Sequence, residues 1–242
     1  MALKEKTAWS RTTICCGGLV AAFAAAYLLS ASPSLATDCK SQASSSIDWK
    51  ECDKSNLMME GSTLDGANLE EADFTATDLR DSVLTGANFE KATLIRSSLA
   101  GSKAEKTNFT RIEGYRTVFS NVAAQGASFA SAELQRADFT GADLTGADFQ
   151  KAELGRADFT GATVTGGLFP MANLSRAQFK DVKFEGALDL TNAFLFLTRI
   201  EGMDLSKATG LQQWQIDLAC GDANTKLPQD IQAPASWPCA PD

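Results

Sequence analysis

From Met59 to Phe184, every fifth residue is the large apolar member of a repeating pattern that holds for 26 successive positions. Eleven of these are Phe and ten are Leu; Met59, Val164, Ala104, Ala124 and Gly114 fill the rest. The residue two places earlier is Ala, Ser, Thr or Gly in 22 of 26 cases, and the residue between is often Asp, Asn or Glu, as in Ala137-Asp138-Phe139. The other two positions are mostly polar or Gly. A helix advances about 100° per residue, so a period of five winds around it and never forms one face. A straight strand has period two, so an odd repeat would alternate faces. A short extended piece followed by a turn satisfies the pattern. Two side chains two residues apart then point inward together, and the turn redirects the chain around its own core.

Longer periods give the size of the coil. Phe89, Phe109, Phe129, Phe149 and Phe169 recur every twenty residues, and Phe119, Phe139, Phe159 and Phe179 recur ten residues out of step. Four units per coil would set the two columns across the core from each other. Ala104, Gly114 and Ala124 replace the large residue and Ile112 the small one, which predicts a bulge or widened core between Ala104 and Ala124. The register slips by one residue near Gly186 to Asp189 and resumes at Leu190, Leu195, Ile200 and Leu205, which predicts a second bulge.

The unit resembles that of the pentapeptide repeat family, A(D/N)LXX, over about 150 of the 242 residues. The resemblance implies an all-β fold, a right-handed quadrilateral parallel β-helix with coils stacked at roughly 4.8 Å. Such a solenoid needs closed ends. Residues 37–58, with Cys39, Cys52 and Trp49, are the expected N-terminal cap, and residues 59–209 the repeat. Residues 210–242 are the expected C-terminal cap, partly helical, because Leu211, Trp214, Gln215 and Leu218 recur at helical spacing and Gly221 can end the helix. The tail from Ala219-Cys220-Gly221-Asp222 to Trp237-Pro238-Cys239 resembles the tails of bacterial members.

Residues 1–36 read as an export signal. Lys4, Lys6 and Arg11 precede an apolar run from Ile14 to Leu29, followed by Pro33 and the small-residue pattern Ser34-Leu35-Ala36, with cleavage expected after Ala36. The alternative is that residues 14–31 are retained as an anchor in the inner membrane. Cysteine usage agrees with export: Cys39, Cys52, Cys220 and Cys239 allow three pairings, and proximity favours Cys39–Cys52 and Cys220–Cys239. The periplasm is the expected compartment, with a thylakoid lumen the other exported setting in which this family occurs.

Charge and chemistry narrow the function. The formal charge is −8. Loss of residues 1–36 removes three basic residues and one acidic one and leaves −10. An acidic chain is poorly suited to direct nucleic-acid binding. There is no histidine, and no nucleophile–base pair or close cysteine pair suggests catalysis, a metal or a cofactor. The one ordered surface feature is Arg96, Arg116, Arg136, Arg156 and Arg176, twenty residues apart, beside Glu113, Glu133 and Glu153. It reads as a guanidinium ladder for a protein or anionic polymer, or as a by-product of coil duplication, since residues 133–152 and 153–172 are visible copies. The expectation is a non-enzymatic exported scaffold or binding module. The alternatives are a membrane-anchored accessory subunit and a DNA-mimicking topoisomerase modulator, the latter implied by family members that resemble duplex DNA and inhibit gyrase.

Overall fold

The structure, a computed structural model, describes residues 38–240; the expected signal segment lies outside them. The chain is a repeat solenoid. Isolated parallel bridges join residues twenty apart, from Asp48↔Asn68 through Asp143↔Thr163 to Thr163↔Lys183. Four five-residue units therefore make one coil. The ladder already starts at Asp48, so regular coiling begins inside the segment expected to be a cap.

Hydrogen bonding explains the unit. Around Leu134, the Ala132 N–H bonds to the Phe129 carbonyl across the turn at 3.1 Å, Glu133 bonds back to Ile112 at 2.8 Å, Leu134 forward to Glu153 at 2.8 Å and Arg136 forward to Gly155 at 2.9 Å. The same four bonds recur from unit to unit. Only the amide after the large core residue lacks a backbone acceptor. Where the residue preceding the core residue is Asp or Asn, its side chain takes that N–H: Thr140 donates to Asp138 at 2.9 Å, Glu90 to Asn88 at 3.2 Å and Gln150 to Asp148 at 2.8 Å. The acidic or amide residue of the repeat thus satisfies a donor that would otherwise be orphaned. The Asn side chains also chain from coil to coil, with Asn108 donating to Asn88 at 2.8 Å.

The turn fixes the fifth position. Its third residue takes φ between +52 and +82° throughout, the signature of a type II turn, which glycine adopts without strain. One corner column accordingly holds Gly66, Gly86, Gly126, Gly146, Gly166 and Gly186, with Lys106 the one interruption between them.

Inward residues stack in columns. Phe109, Phe129, Phe149 and Phe169 lie nearly parallel with centroids 4.8–4.9 Å apart, and Phe119, Phe139, Phe159 and Phe179 repeat this at 4.8–5.0 Å. The two columns meet edge-on, as in Phe129–Phe139 at 5.6 Å and 87°. Each such pair adds about 0.5–1.5 kcal/mol beyond simple burial. At the small inward position, hydroxyls reach the core-residue carbonyl of the previous coil: Thr107 to Leu84 at 2.7 Å and Thr117 to Leu94 at 2.6 Å.

The expected widening between Ala104 and Ala124 does not occur. Bridges Lys103↔Ala123 and Glu113↔Glu133 stay in register. The missing volume is supplied from within: Ile112 is fully buried, and Leu134 Cδ2 lies 2.8 Å from where a Gly114 Cβ would be. The slip after Lys183 is real. Bridges lengthen to Leu168↔Asp189 and Asn173↔Phe194, and on the side carrying Lys183 no bridge joins it to Asp204 among the described residues.

The ends differ. At the first coil Lys54 occupies an inward position, donating to the Cys39 carbonyl at 2.5 Å with its ammonium 3.5 Å from the Trp49 ring centroid; burial pushes its pKa down. At the other end lies helix α1 (Gln213–Leu218). Its inward residues are Gln215 and Ile216 rather than Trp214, which is 41% exposed. Gln215 Nε2 donates to the Leu190 and Ala193 carbonyls at 2.8 and 2.9 Å; the Leu190 carbonyl already takes its turn bond from Ala193, whereas the Ala193 carbonyl lacks the next-coil N–H that its counterparts accept. The helix stops before Gly221 because Cys220 joins the ladder, bonding Thr198 and Ile200. Gly221 instead makes room for the Trp237 ring, whose nearest atom is 2.4 Å from a would-be Cβ. Disulfides Cys39–Cys52 and Cys220–Cys239 tie both terminal segments to the coils.

Two outcomes test this account. Ser102 Oγ is buried without a partner, so Ser102→Ala raises unfolding stability by about 1 kcal/mol while Thr107→Ala lowers it by about as much; denaturant titration reads both. Ser206 and Lys226 hold the Asp204 carboxyl down to about 2, and the Ser55 amide and hydroxyl lower Asp53. Depressed carboxyls contribute stability above their ordinary value of 3.8, lost as pH falls from there toward about 2. Asp204→Asn therefore shows a shallower loss of thermal stability across that window.

Candidate binding surface

The five arginines all occupy the left-handed corner, at φ +58 to +61°. Each backbone N–H bonds to the carbonyl just before the next arginine: Arg96 to Tyr115, Arg116 to Gln135, Arg136 to Gly155 and Arg156 to Ser175. The ladder thus fixes them in one row at the coil spacing. Arg176 continues the row by bonding Phe196. The first four are exposed and Arg176 half-buried. Among the described residues none of the five lies within 4.0 Å of a carboxylate, although Arg80, Arg111 and Arg199 do make such ion pairs. Glu113, Glu133 and Glu153 form their own exposed column three residues upstream, bridged directly to one another. The carboxylates therefore run parallel to the guanidiniums without neutralising them by contact.

The corner geometry also bears on why arginine is there. An L-residue in the left-handed region costs about 1–2 kcal/mol relative to its ordinary backbone, and Gly101, Gly141 and Gly161 supply the same turn in the next corner column. Arginine adds nothing to the core and makes no ion pair that would offset this strain.

The sequence pattern did not single out the apolar surface at the C-terminal coils. Phe194, Phe196 and Trp214 are 41–43% exposed, with Leu168 and Met171 nearby in the preceding coil. Phe194 and Phe196 stack at 6.3 Å and 10°. The run Phe194-Leu195-Phe196 carried the signal: it places aromatic rings at both outward positions flanking a core residue.

More than half of the chain matches the family model for pentapeptide repeats, in eight copies over residues 59–90, 72–111, 125–161 and 152–202. The chain belongs to the pentapeptide repeat family. Among solved structures it is similar to HetL, a pentapeptide repeat protein involved in heterocyst differentiation regulation from the cyanobacterium Nostoc (21% identity, 80% of this chain and 88% of that one, TM-score 0.41). It is also similar to QnrB1, a plasmid-mediated fluoroquinolone resistance protein (16%, 72% and 92%, TM-score 0.38). A third is a pentapeptide repeat protein from the Arabidopsis thaliana thylakoid lumen (30%, 44% and 70%, TM-score 0.30). No curated protein matches the chain. As a pentapeptide repeat protein it carries two disulfides, which point to an oxidising location. Among its described residues no helix is long and apolar enough to cross a membrane, and no group of His, Cys, Asp and Glu is placed to hold a metal ion.

If the row is not a folding device, Arg136→Gly and Arg156→Gly leave unfolding stability unchanged or raise it by up to about 1 kcal/mol. Thermal melts of the two variants check this.

Proposed function

We propose that this pentapeptide repeat protein is an exported, non-enzymatic binding module. In this reading residues 1–36 direct export and are removed after Ala36. The mature chain is a right-handed four-sided solenoid with its repeat over residues 59–209, and its ladder runs on into the closing segments 37–58 and 210–242. Its compartment is the periplasm or another exported space such as a thylakoid lumen. The binding surface is the row Arg96, Arg116, Arg136, Arg156 and Arg176, and the partner a protein or anionic polymer. The observation that carries the proposal is that these arginines branch from backbone positions in register one coil apart, with no carboxylate contact among the described residues. Guanidinium forks that no carboxylate of the chain engages suit carboxylate or phosphate ligands; Arg116 lies over the Tyr115 ring. A regular outer surface favours extended partners over small molecules, which need concave sites. The disulfides support the location, since such bonds persist outside reducing compartments.

Two measurements test it. Intact mass of the protein from its native cells is expected to show a chain starting at Thr37 that gains four mass units on reduction; a full-length species overturns export with cleavage and turns the question to residues 14–31 as an anchor. Arg136→Glu with Arg156→Glu is expected to abolish capture of the native partner, and a partner retained at full affinity overturns the row as its site.

A further inference from the structure

The slip after Lys183 leaves the ladder open on one side. The bonding pattern seen around Leu134 calls for the Asp204 N–H on the Val182 carbonyl, the Phe184 N–H on the Asp204 carbonyl and the Gly186 N–H on the Ser206 carbonyl. Among the described residues none of these three bonds is made. The other three sides stay paired across the slip, through Leu168↔Asp189, Asn173↔Phe194 and Gln178↔Arg199, so both lips of the opening are held by ordered coils. The extra residue is Ala187, exposed between Gly186 and the buried Leu188. A cleft of about 530 Å³ lies here, lined by Val182, Phe184 and Glu185 on one lip and by Gly202 and Asp204 on the other. A second, of about 380 Å³, continues past Gly186 to Ser206 and Lys207. The core shows through the gap. Val182 and Phe184 are only half-buried, whereas Ala162 and Val164, in the same inward columns of the preceding coil, are fully buried.

We propose that this opening receives an extended segment of a protein partner, which adds to the edge from Val182 to Gly186 as the rung that the slip removes. An unpaired strand edge is a template for another strand. This one presents an acceptor at Val182 and donors at Phe184 and Gly186, at the two-residue period of extended backbone. A peptide running parallel to it answers that order. One of its residues donates its N–H to the Val182 carbonyl and accepts from the Phe184 N–H, and the carbonyl two residues on accepts from Gly186. A bound anion would take the donors and leave the carbonyl unpaired, and an apolar surface would satisfy none of the three groups. The guest's side chains follow from the repeat itself. The residues flanking its bonded residue lie over the half-exposed faces of Val182 and Phe184, where the repeat carries its small and its large apolar member. The segment therefore reads small, polar, large apolar. The site lies on a different part of the coil from the arginine row and does not rest on it.

The probe is a fluorescent peptide copying residues 160–168, whose Ala162-Thr163-Val164 is the rung that Lys183 already pairs with. Its control is the same peptide N-methylated at Thr163, which keeps every side chain and removes one donor. Anisotropy titration on the full chain is expected to show saturable binding, at least about tenfold weaker for the N-methylated peptide. Amide hydrogen exchange read by NMR is expected to find Phe184 and Gly186 unprotected in the free protein, unlike Leu134, and protected once the peptide is bound. Deletion of Ala187 restores the twenty-residue period, closes the ladder and weakens the peptide by about tenfold or more. If that variant does not fold, Phe184→Ala takes its place, with the same loss expected from removal of the apolar floor. Absence of saturable binding, equal binding of the N-methylated peptide, protection of Phe184 and Gly186 without peptide, or undiminished binding by the folded variant each overturns the proposal. Peptide binding that is lost on Arg136→Glu with Arg156→Glu also overturns it, because the opening is then not the site.

Discussion

Coil-to-coil hydrogen bonding at every fifth residue is the constraint on which the rest of this structure depends. Three amides of each unit bond to neighbouring coils and one closes the turn, as around Leu134. The bonds hold the coil rise near the strand spacing, and that rise is what lets Phe rings stack face to face at 4.8–5.0 Å. Hydrogen bonding and aromatic packing therefore reinforce one another: neither can change spacing without disturbing the other. The one amide left over explains the Asp and Asn of the repeat, and the turn explains its glycines.

The same constraint organises the surface. A side chain at a given place in the unit must lie above its counterpart one coil below. Identical residues twenty apart therefore become rows, whether of Asn, Glu or Arg. The Asn row is used internally, since each amide bonds the next. The Glu row is used at its end alone, where Asn173 donates to Glu153, and the Arg row sits where the backbone favours glycine. Rows that neither close the backbone nor pack the core are released from the constraints that fix the rest of the unit. Where the period breaks, after Lys183, the ladder opens on one side, and the coils that follow carry the exposed rings of Phe194, Phe196 and Trp214.

Much of this was legible in the chain. The units, the coil of four and the slip before Leu190 follow from period alone, because only an extended-plus-turn unit can keep a five-residue repeat facing one core. The expected distortion around Gly114 did not follow, since a missing side chain in one coil can be filled by Leu134 of the next and by Ile112 beside it. Those neighbours are far apart in sequence or in the other inward column. The helix at the end lies where its spacing put it, but of that stripe Gln215 is buried and Trp214 is exposed, while Ile216, off the stripe, is buried. Gln215 is held by the Leu190 and Ala193 carbonyls, a need that hydrophobic spacing cannot register.

The sequence by itself determined the repeat, its register and which residues form rows, because these are set by local geometry repeated without interruption. The tertiary structure alone decided which rows are satisfied internally, how the solenoid ends, and where basic and acidic columns lie side by side. Those depend on distances between residues twenty positions apart, and on backbone groups whose partners exist only once the coils are stacked.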